Sequence, residues 1–438
     1  MSVRRHHALF TLLLVIVAVA CTAGRCGGGT GGSRSCPYVY LWNGSEYRYS
    51  TDLAGSVLGA GLEIFRPEHY DGGIYELGDF AAVDGRYRMK VRETIQEADY
   101  FDKAELVVVD VPAGHRVLSN WSFTSQVGFR SPRAFFTIKG ARPPLSAVDR
   151  QGRDVLAEVS GKDEVPLRVE ANQLSSVIVD FGPVKHPEWA KLVMTAWSHY
   201  DDLEQLQEPP YSAGTTIETE NERGEWVVRK VAGKNPGDRR SWVIDLAGLL
   251  KTGSSRMRIT LAHQPIGLDV LDQVLLDESE PAPVKVTRVR PTVADLRFGG
   301  SAKFNYTSLE ERIHSEDTHD EIMPDAMMYG RFTRYGDVRP LLESSDDRFV
   351  VMAHGDELEL EFPAPHREPR TARWVFLDAD VFYSIKYSVK EELLTENVDP
   401  LPFHGMKRYP YPRDEWKYAG DASYREYIET WNTRVIAK

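Results

Sequence analysis

The sequence is short of cysteine, of helical periodicity, of long apolar runs and of catalytic signatures, and each shortage excludes something. Three cysteines serve 438 residues, and all lie at or before Cys36. The body beyond that point holds no disulfide framework and no thiolate metal site of its own. Past the N-terminal stretch, nothing approaches the ~20 consecutive apolar residues that a membrane helix requires. No G-x-S-x-G elbow, H-E-x-x-H pair, Walker loop or dinucleotide glycine signature occurs, so the commonest hydrolase, metalloprotease and nucleotide readings have no foothold. Positive charge is short as well: 53 Lys and Arg stand against 65 Asp and Glu, a formal charge of -12. Nucleic acid is therefore a poor partner, since phosphate neutralisation supplies most of that affinity.

What is present begins with Arg4 and Arg5, ahead of an uncharged apolar run from Ala8 to Ala20 that stops on Cys21. A basic start followed by a short apolar stretch is the layout of a secretion signal, and the run is too short to span a bilayer. Ala18-Val19-Ala20-Cys21 resembles the bacterial lipobox, with Ala18 where that motif usually has leucine. The resemblance implies a signal peptide over residues 1–20, cleavage before Cys21, and acylation (palmitate) that anchors a lipoprotein to the membrane. An ordinary secretory peptide cut near Ala23 is the alternative. Residues 21–35 are rich in glycine and serine, the composition of a flexible tether. Thr22, rather than Asp, in the second mature position resembles the pattern that sends lipoproteins to the outer membrane, so the expected location is the outer membrane, facing periplasm or cell surface. Cys26 and Cys36 remain as a pair, which either closes a short disulfide or stays as two thiols.

The body reads as mainly β. Tyr87, Met89 and Val91 alternate with Arg86, Arg88, Lys90 and Arg92; Leu358, Leu360 and Phe362 alternate with Glu357, Glu359 and Glu361; Val284, Val286 and Val289 are interleaved with polar residues. Period two gives one buried and one wet face, as in antiparallel sheets. Continuous apolar runs at Leu106–Val109, Val177–Val179, Trp242–Ile244, Val274–Leu276 and Phe349–Met352 read as interior strands. Helical pattern is scarce and clearest over Ser423–Thr433, where Tyr424, Tyr427, Ile428 and Trp431 share a face and Asp421 stands ready to cap. The expected fold is two or more antiparallel β-sandwich, jelly-roll-like modules with a short C-terminal helix.

An internal similarity supports that expectation. Arg88-Met89-Lys90-Val91 is followed by Asp99, Asp102 and then Leu106 to Asp110; Arg256-Met257-Arg258-Ile259 is followed by Asp269, Asp272 and then Val274 to Asp277. These segments resemble the last two strands of galactose-binding-like jelly rolls, and the resemblance implies two related sandwich modules in which Asp102 and Asp272 are structural. The bland alternative is that any two antiparallel pairs rich in Arg and Asp align this well. The expected organisation is a first β module over 36–170, a galactose-binding-like sandwich over 171–290, and a C-terminal β region over 291–438. Cys36-Pro37-Tyr38-Val39-Tyr40, Val83-Asp84-Gly85-Arg86-Tyr87, the 334–342 segment, and Leu401-Pro402-Phe403-His404-Gly405-Met406 with Tyr409-Pro410-Tyr411-Pro412 resemble modules of uncharacterised bacterial envelope lipoproteins that flank TPR or FG-GAP-type repeats. That resemblance implies export and a shared architecture, and no activity.

The search for chemistry assigns no catalytic, cofactor-binding or metal-binding residue. The densest ligand cluster, His314, Glu316, Asp317, His319, Asp320 and Glu321, reads as a solvated acidic loop, because five-residue spacing does not put both histidines on one helical face. His199-Tyr200-Asp201-Asp202 reads as surface. The body is expected to fold without metal. Pro402, Pro410 and Pro412 deny the closing segment regular pairing, yet its apolar residues suit an extended strap with a structural His404. The expected function is a non-catalytic binding module for a glycan or an envelope protein. A structural or assembly lipoprotein comes next, and an enzyme acting on envelope polymers last.

Overall fold

In a computed structural model the chain is described over residues 37–53, 56–58, 72–78, 80–93, 97–120, 134–163, 165–167, 174–199, 214–233, 238–251, 253, 256–264, 267–300, 328–385 and 397–438. Cys21, Cys26 and Cys36, the signal, the tether and the His314–Glu321 cluster lie outside these residues, as do Tyr200, Asp201 and Asp202.

Alternating residues 86 to 92 form the strand Arg86–Arg92, in which Tyr87, Met89 and Val91 are buried. Each such side chain contributes roughly 1.5–3 kcal/mol. A one-residue slip would turn the arginines inward, which fixes the register. The strand pairs with Tyr38–Trp42 on one side and with Asp356–Pro363 on the other. Across that second boundary Arg88 meets Glu361 at 2.9 Å and Lys90 meets Glu357 at 3.5 Å, so the two charged faces expected to be wet form one cross-strand ladder. At one end the ladder is covered: Arg92 and Glu357 are both buried.

This six-stranded sheet runs Tyr47–Asp52, Tyr38–Trp42, Arg86–Arg92, Asp356–Pro363, Val293–Phe298, Gly336–Asp337. A second sheet is built on Glu97–Pro112 and Thr371–Ile385, with Lys285–Val289, Ser56–Leu58, Gly73–Glu76 and Val350–Met352 attached. Side chains from both sheets share one core that includes Met89, Val91, Leu358, Val107, Phe376 and Phe382. Between residues 119 and 284 the chain builds another sandwich. Its five-stranded sheet runs Trp226–Ala232, Thr215–Glu220, Arg256–Thr260, Ser176–Asp180, Ser146–Asp149, and its four-stranded sheet runs Arg240–Asp245, Lys191–His199, Gly267–Asp277, His263–Gln264. They enclose a separate core of Val177, Val179, Leu192, Trp242, Met257, Ile259 and Leu276.

The protein is thus mainly β, with antiparallel sandwiches and a short C-terminal helix. The sheets do not follow the expected boundaries of 36–170, 171–290 and 291–438. The first and last segments interleave into one split sandwich, and Ser146–Asp149, expected in the first module, joins the inserted one. Alternation reveals which face a strand buries but not its partner, and these partners are far apart in the chain. Lys285–Val289 also departs from expectation. As an edge strand bonded to Glu97–Pro112, it leaves Val286 44% exposed.

The internal similarity holds in three dimensions. In the inserted sandwich Ser176–Asp180 pairs with Arg256–Thr260, and Lys191–His199 with Gly267–Asp277. In the split sandwich Asp356–Pro363 pairs with Arg86–Arg92, and Thr371–Ile385 with Glu97–Pro112. Val179 lies opposite Met257 as Leu360 lies opposite Met89. Both second pairs carry a register shift at the same place. Thr195 and Ala196 face Gln273 and Leu271, leaving Asp272 as the extra residue; Asp380 and Val381 face Lys103 and Phe101, leaving Asp102. The two aspartates are therefore equivalent bulge residues, both fully buried. Only the order along the chain differs, since the 176–199 pair precedes its mate and the 356–385 pair follows it.

The sandwiches are joined through Arg240, which bonds the buried Asp52 and stacks 5.0 Å over Tyr75, and through Tyr49, whose hydroxyl donates to Asp238 at 2.9 Å. Leu118 and Ile138 pack with Val193 and Val243 beside this joint.

Candidate functional site

Three groupings of polar side chains stand out among the described residues. The first gathers on Asp347, in the loop before Val350–Met352. Its backbone lies in the left-handed region at φ 67°, which aspartate tolerates better than most residues. Its amide donates to Asp102 Oδ2 at 3.0 Å. Oδ1 accepts from His404 Nδ1 at 2.6 Å and from the His404 amide at 2.7 Å; Oδ2 accepts from Lys417 Nζ at 2.8 Å and from the Tyr418 hydroxyl. The other ring nitrogen, His404 Nε2, lies 2.8 Å from Asp380 Oδ2.

Burial opposes the charge on His404, but the bonds to Asp347 and Asp380 outweigh it and raise the imidazole to about 10. Burial likewise opposes the charge on Asp347, and the bonds from His404, Lys417 and Tyr418 outweigh it, holding that carboxyl below its usual range. An imidazolium gripped at both nitrogens offers no lone pair to a substrate proton, and its acidity is far from the neutral range that general acid–base work favours. Nor does the Asp102, Asp347 and His404 grouping suit a cation, because the ring protons occupy the space a metal would need. His404 is a clamp that ties the closing segment to the Asp102 bulge. Leu401, Phe403, Met406 and Tyr411 of that segment are buried in the split core beside Tyr424 and Tyr427 of helix Ala422–Trp431. Asp421 caps the helix, accepting from the amides of Ser423 and Tyr424.

The second grouping lies where the chain passes from strand Arg86–Arg92 of one sheet to strand Glu97–Pro112 of the other. Glu93 follows strand Arg86–Arg92, and Glu97 and Asp99 open strand Glu97–Pro112 on one face, since their spacing is two. One carboxylate oxygen from each lies within 4.8 Å of the others, and all three residues are buried. Sequence reading finds Asp99 only as part of the internal similarity and misses the grouping, because its members stand among ordinary turn-like polar residues; two acids at i and i+2 at a strand start were the only signal.

The third is a cluster of arginines and glutamates around a tryptophan. On the five-stranded sheet of the inserted sandwich, Trp226 lies on the edge strand with the guanidinium of Arg258 5.1 Å and that of Arg256 5.7 Å from its ring. Glu218 pairs with Arg258, and Glu220 bonds Arg256 at 3.0 Å. Val228 on the same strand is 51% exposed. No protein-family model matches the chain, and no curated protein does so.

Proposed function

We propose that the chain is an exported lipoprotein held by lipid on Cys21, whose body is a non-catalytic binding module, and that its ligand is a glycan of the cell envelope. The carrying observation is Trp226, flanked by the two guanidinium–carboxylate pairs Arg258–Glu218 and Arg256–Glu220. A sugar ring offers an apolar C–H face and a rim of hydroxyls. Guanidinium groups held over the indole, with their paired carboxylates, offer fork-shaped donors and acceptors to the hydroxyls, and the exposed Val228 on the same strand offers an apolar surface to the C–H face. The cluster at His404 supports the same reading, since its groups are committed to one another. A tether of glycine and serine gives such a module reach from the membrane.

The soluble Cys21→Ser form and its Trp226→Ala derivative provide the test, by retention on immobilised envelope polysaccharide. Retention of the first and loss of roughly tenfold or more in the second is expected, in line with ~1.4 kcal/mol for one lost stacking contact. Equal retention of both removes this face from the account, and capture of an envelope protein in place of polysaccharide transfers the reading to a protein partner.

A further inference from the structure

We propose that Glu93, Glu97 and Asp99 form a binding site for a hard divalent cation of the calcium class, which ties the end of strand Arg86–Arg92 to the start of strand Glu97–Pro112. This departs from the expectation that the body folds without metal.

Asp99 carries the inference. It is fully buried, and neither carboxylate oxygen has a hydrogen-bond partner outside the acidic group itself. It points into a group whose other two members are also carboxylates, with oxygens within 4.8 Å of one another. Calcium bridges such a span with ordinary Ca–O bonds of about 2.3–2.6 Å and welcomes acidic oxygens, while the absence of nitrogen or sulfur from the three donors disfavours zinc and copper. A buried carboxylate without a partner is costly and is relieved either by a counter-ion or by a proton. The neighbouring buried acid Asp356 has its own relief: it accepts from the Tyr335 hydroxyl at 2.9 Å, from the Ala353 amide at 2.7 Å and from Arg434. That guanidinium is committed there. Burial first, and the nearby Glu93 second, push the Asp99 carboxyl well above its ordinary range when only a proton is on offer.

The inserted sandwich carries only part of this acidic set. Counting from the paired methionines and the paired bulge aspartates, Asp269 stands where Asp99 does, but Leu261 stands where Glu93 does and Gly267 where Glu97 does, and Leu261 is fully buried in the apolar core. The grouping of three carboxylates is therefore a property of one sandwich, not a requirement of the fold.

The test uses the full mature chain stripped with EDTA, titrated calorimetrically with calcium chloride at neutral pH and then melted with and without the ion. One binding event per chain and a rise of about 5 °C or more in the split sandwich's transition at saturating calcium are expected. Asp99→Asn, which removes the charge and keeps the shape, should fold and melt at least as high as the stripped wild type while losing the calcium response. Glu97→Gln should weaken binding tenfold or more. A wild-type protein that gives no binding heat and melts identically in EDTA and in millimolar calcium overturns the proposal. So does a wild type whose stability at this turn depends on pH alone, the outcome for two carboxyls sharing a proton.

Discussion

The split and inserted sandwiches share four central strands, a buried Met at matching positions and an aspartate at the same bulge, yet they secure their ends by different means. The inserted sandwich draws on its own continuous stretch of chain. Asp277 closes the strand Gly267–Asp277 by accepting from Lys191 at 2.9 Å, from the Ser279 hydroxyl and amide, and from the amides of Lys139 and Gly140. The split sandwich draws on both of its separated stretches, since Asp347 gathers Asp102 from before the inserted sandwich and His404, Lys417 and Tyr418 from after it. One strand scaffold thus tolerates either solution. What the scaffold demands is that every buried carboxylate be answered, not that the answer come from a given place.

The largest expected effect breaks this comparison outright. Truncation at Asp399 removes His404, Lys417, Tyr418 and the helix, together with Leu401, Phe403 and Met406 from the split core. Calorimetry should show the split sandwich's cooperative transition lost while that of the inserted sandwich persists. A truncated protein that melts as the full chain does would make the closing segment a separate element.

Single aspartates give a smaller and sharper contrast. Asp347→Ala and Asp277→Ala each leave buried cationic groups unanswered, at a cost of about 3–5 kcal/mol. The first should lower only the transition of the split sandwich and the second only that of the inserted one. If either variant lowers both equally, the two cores unfold as one unit, and the joint at Arg240 and Asp52 is stronger than the division between cores.

The gentlest contrast is in pH. Asp347 and Asp277 both have carboxyls held below the ordinary value, so each sandwich loses stability as pH falls from about 4 through their depressed values. His404 runs the opposite way. With its folded value raised to about 10, its stabilisation is fully present below about 6.5 and is lost as pH rises through about 10. Melting curves across alkaline pH should therefore show the split sandwich weakening over that window before the inserted one, and His404→Gln should abolish the difference. An inserted sandwich that weakens first would show that His404 does not carry the alkaline limb.

Much of this was legible in the sequence and some was not, for definable reasons. Period-two alternation identified the buried faces at Met89 and Val91, and the matched spacing to Asp102 and Asp272 identified two related modules. The apolar content of a proline-rich tail identified a segment that packs, and Asp421 a helix start. These are local signals. Partner choice is not local, so the pairing of Arg86–Arg92 with Asp356–Pro363 cannot be read from the sequence, and neither can the edge position that leaves Val286 exposed despite its alternating pattern. Buried acids were missed for a related reason. Ser344-Ser345-Asp346-Asp347 and Glu93 to Asp99 look like solvated turns, because nothing in the spacing of polar residues tells whether remote chain will cover them.

The interleaving has a consequence in time. The hydroxyl of Tyr100 bonds the carbonyl of Val398, 298 residues further along, and Glu97–Pro112 finds its long neighbour only in Thr371–Ile385. A chain delivered N-terminus first must hold its earliest strands, with Val107, Val108 and Val109 among them, without that partner until the last segments arrive. The inserted sandwich is complete by then. Closing so long a loop is slow, though its entropic cost grows only logarithmically with length, and unpaired apolar edges aggregate while they wait. Half of this protein is therefore assembled last around a finished half, and its early strands are the ones a chaperone would need to shield.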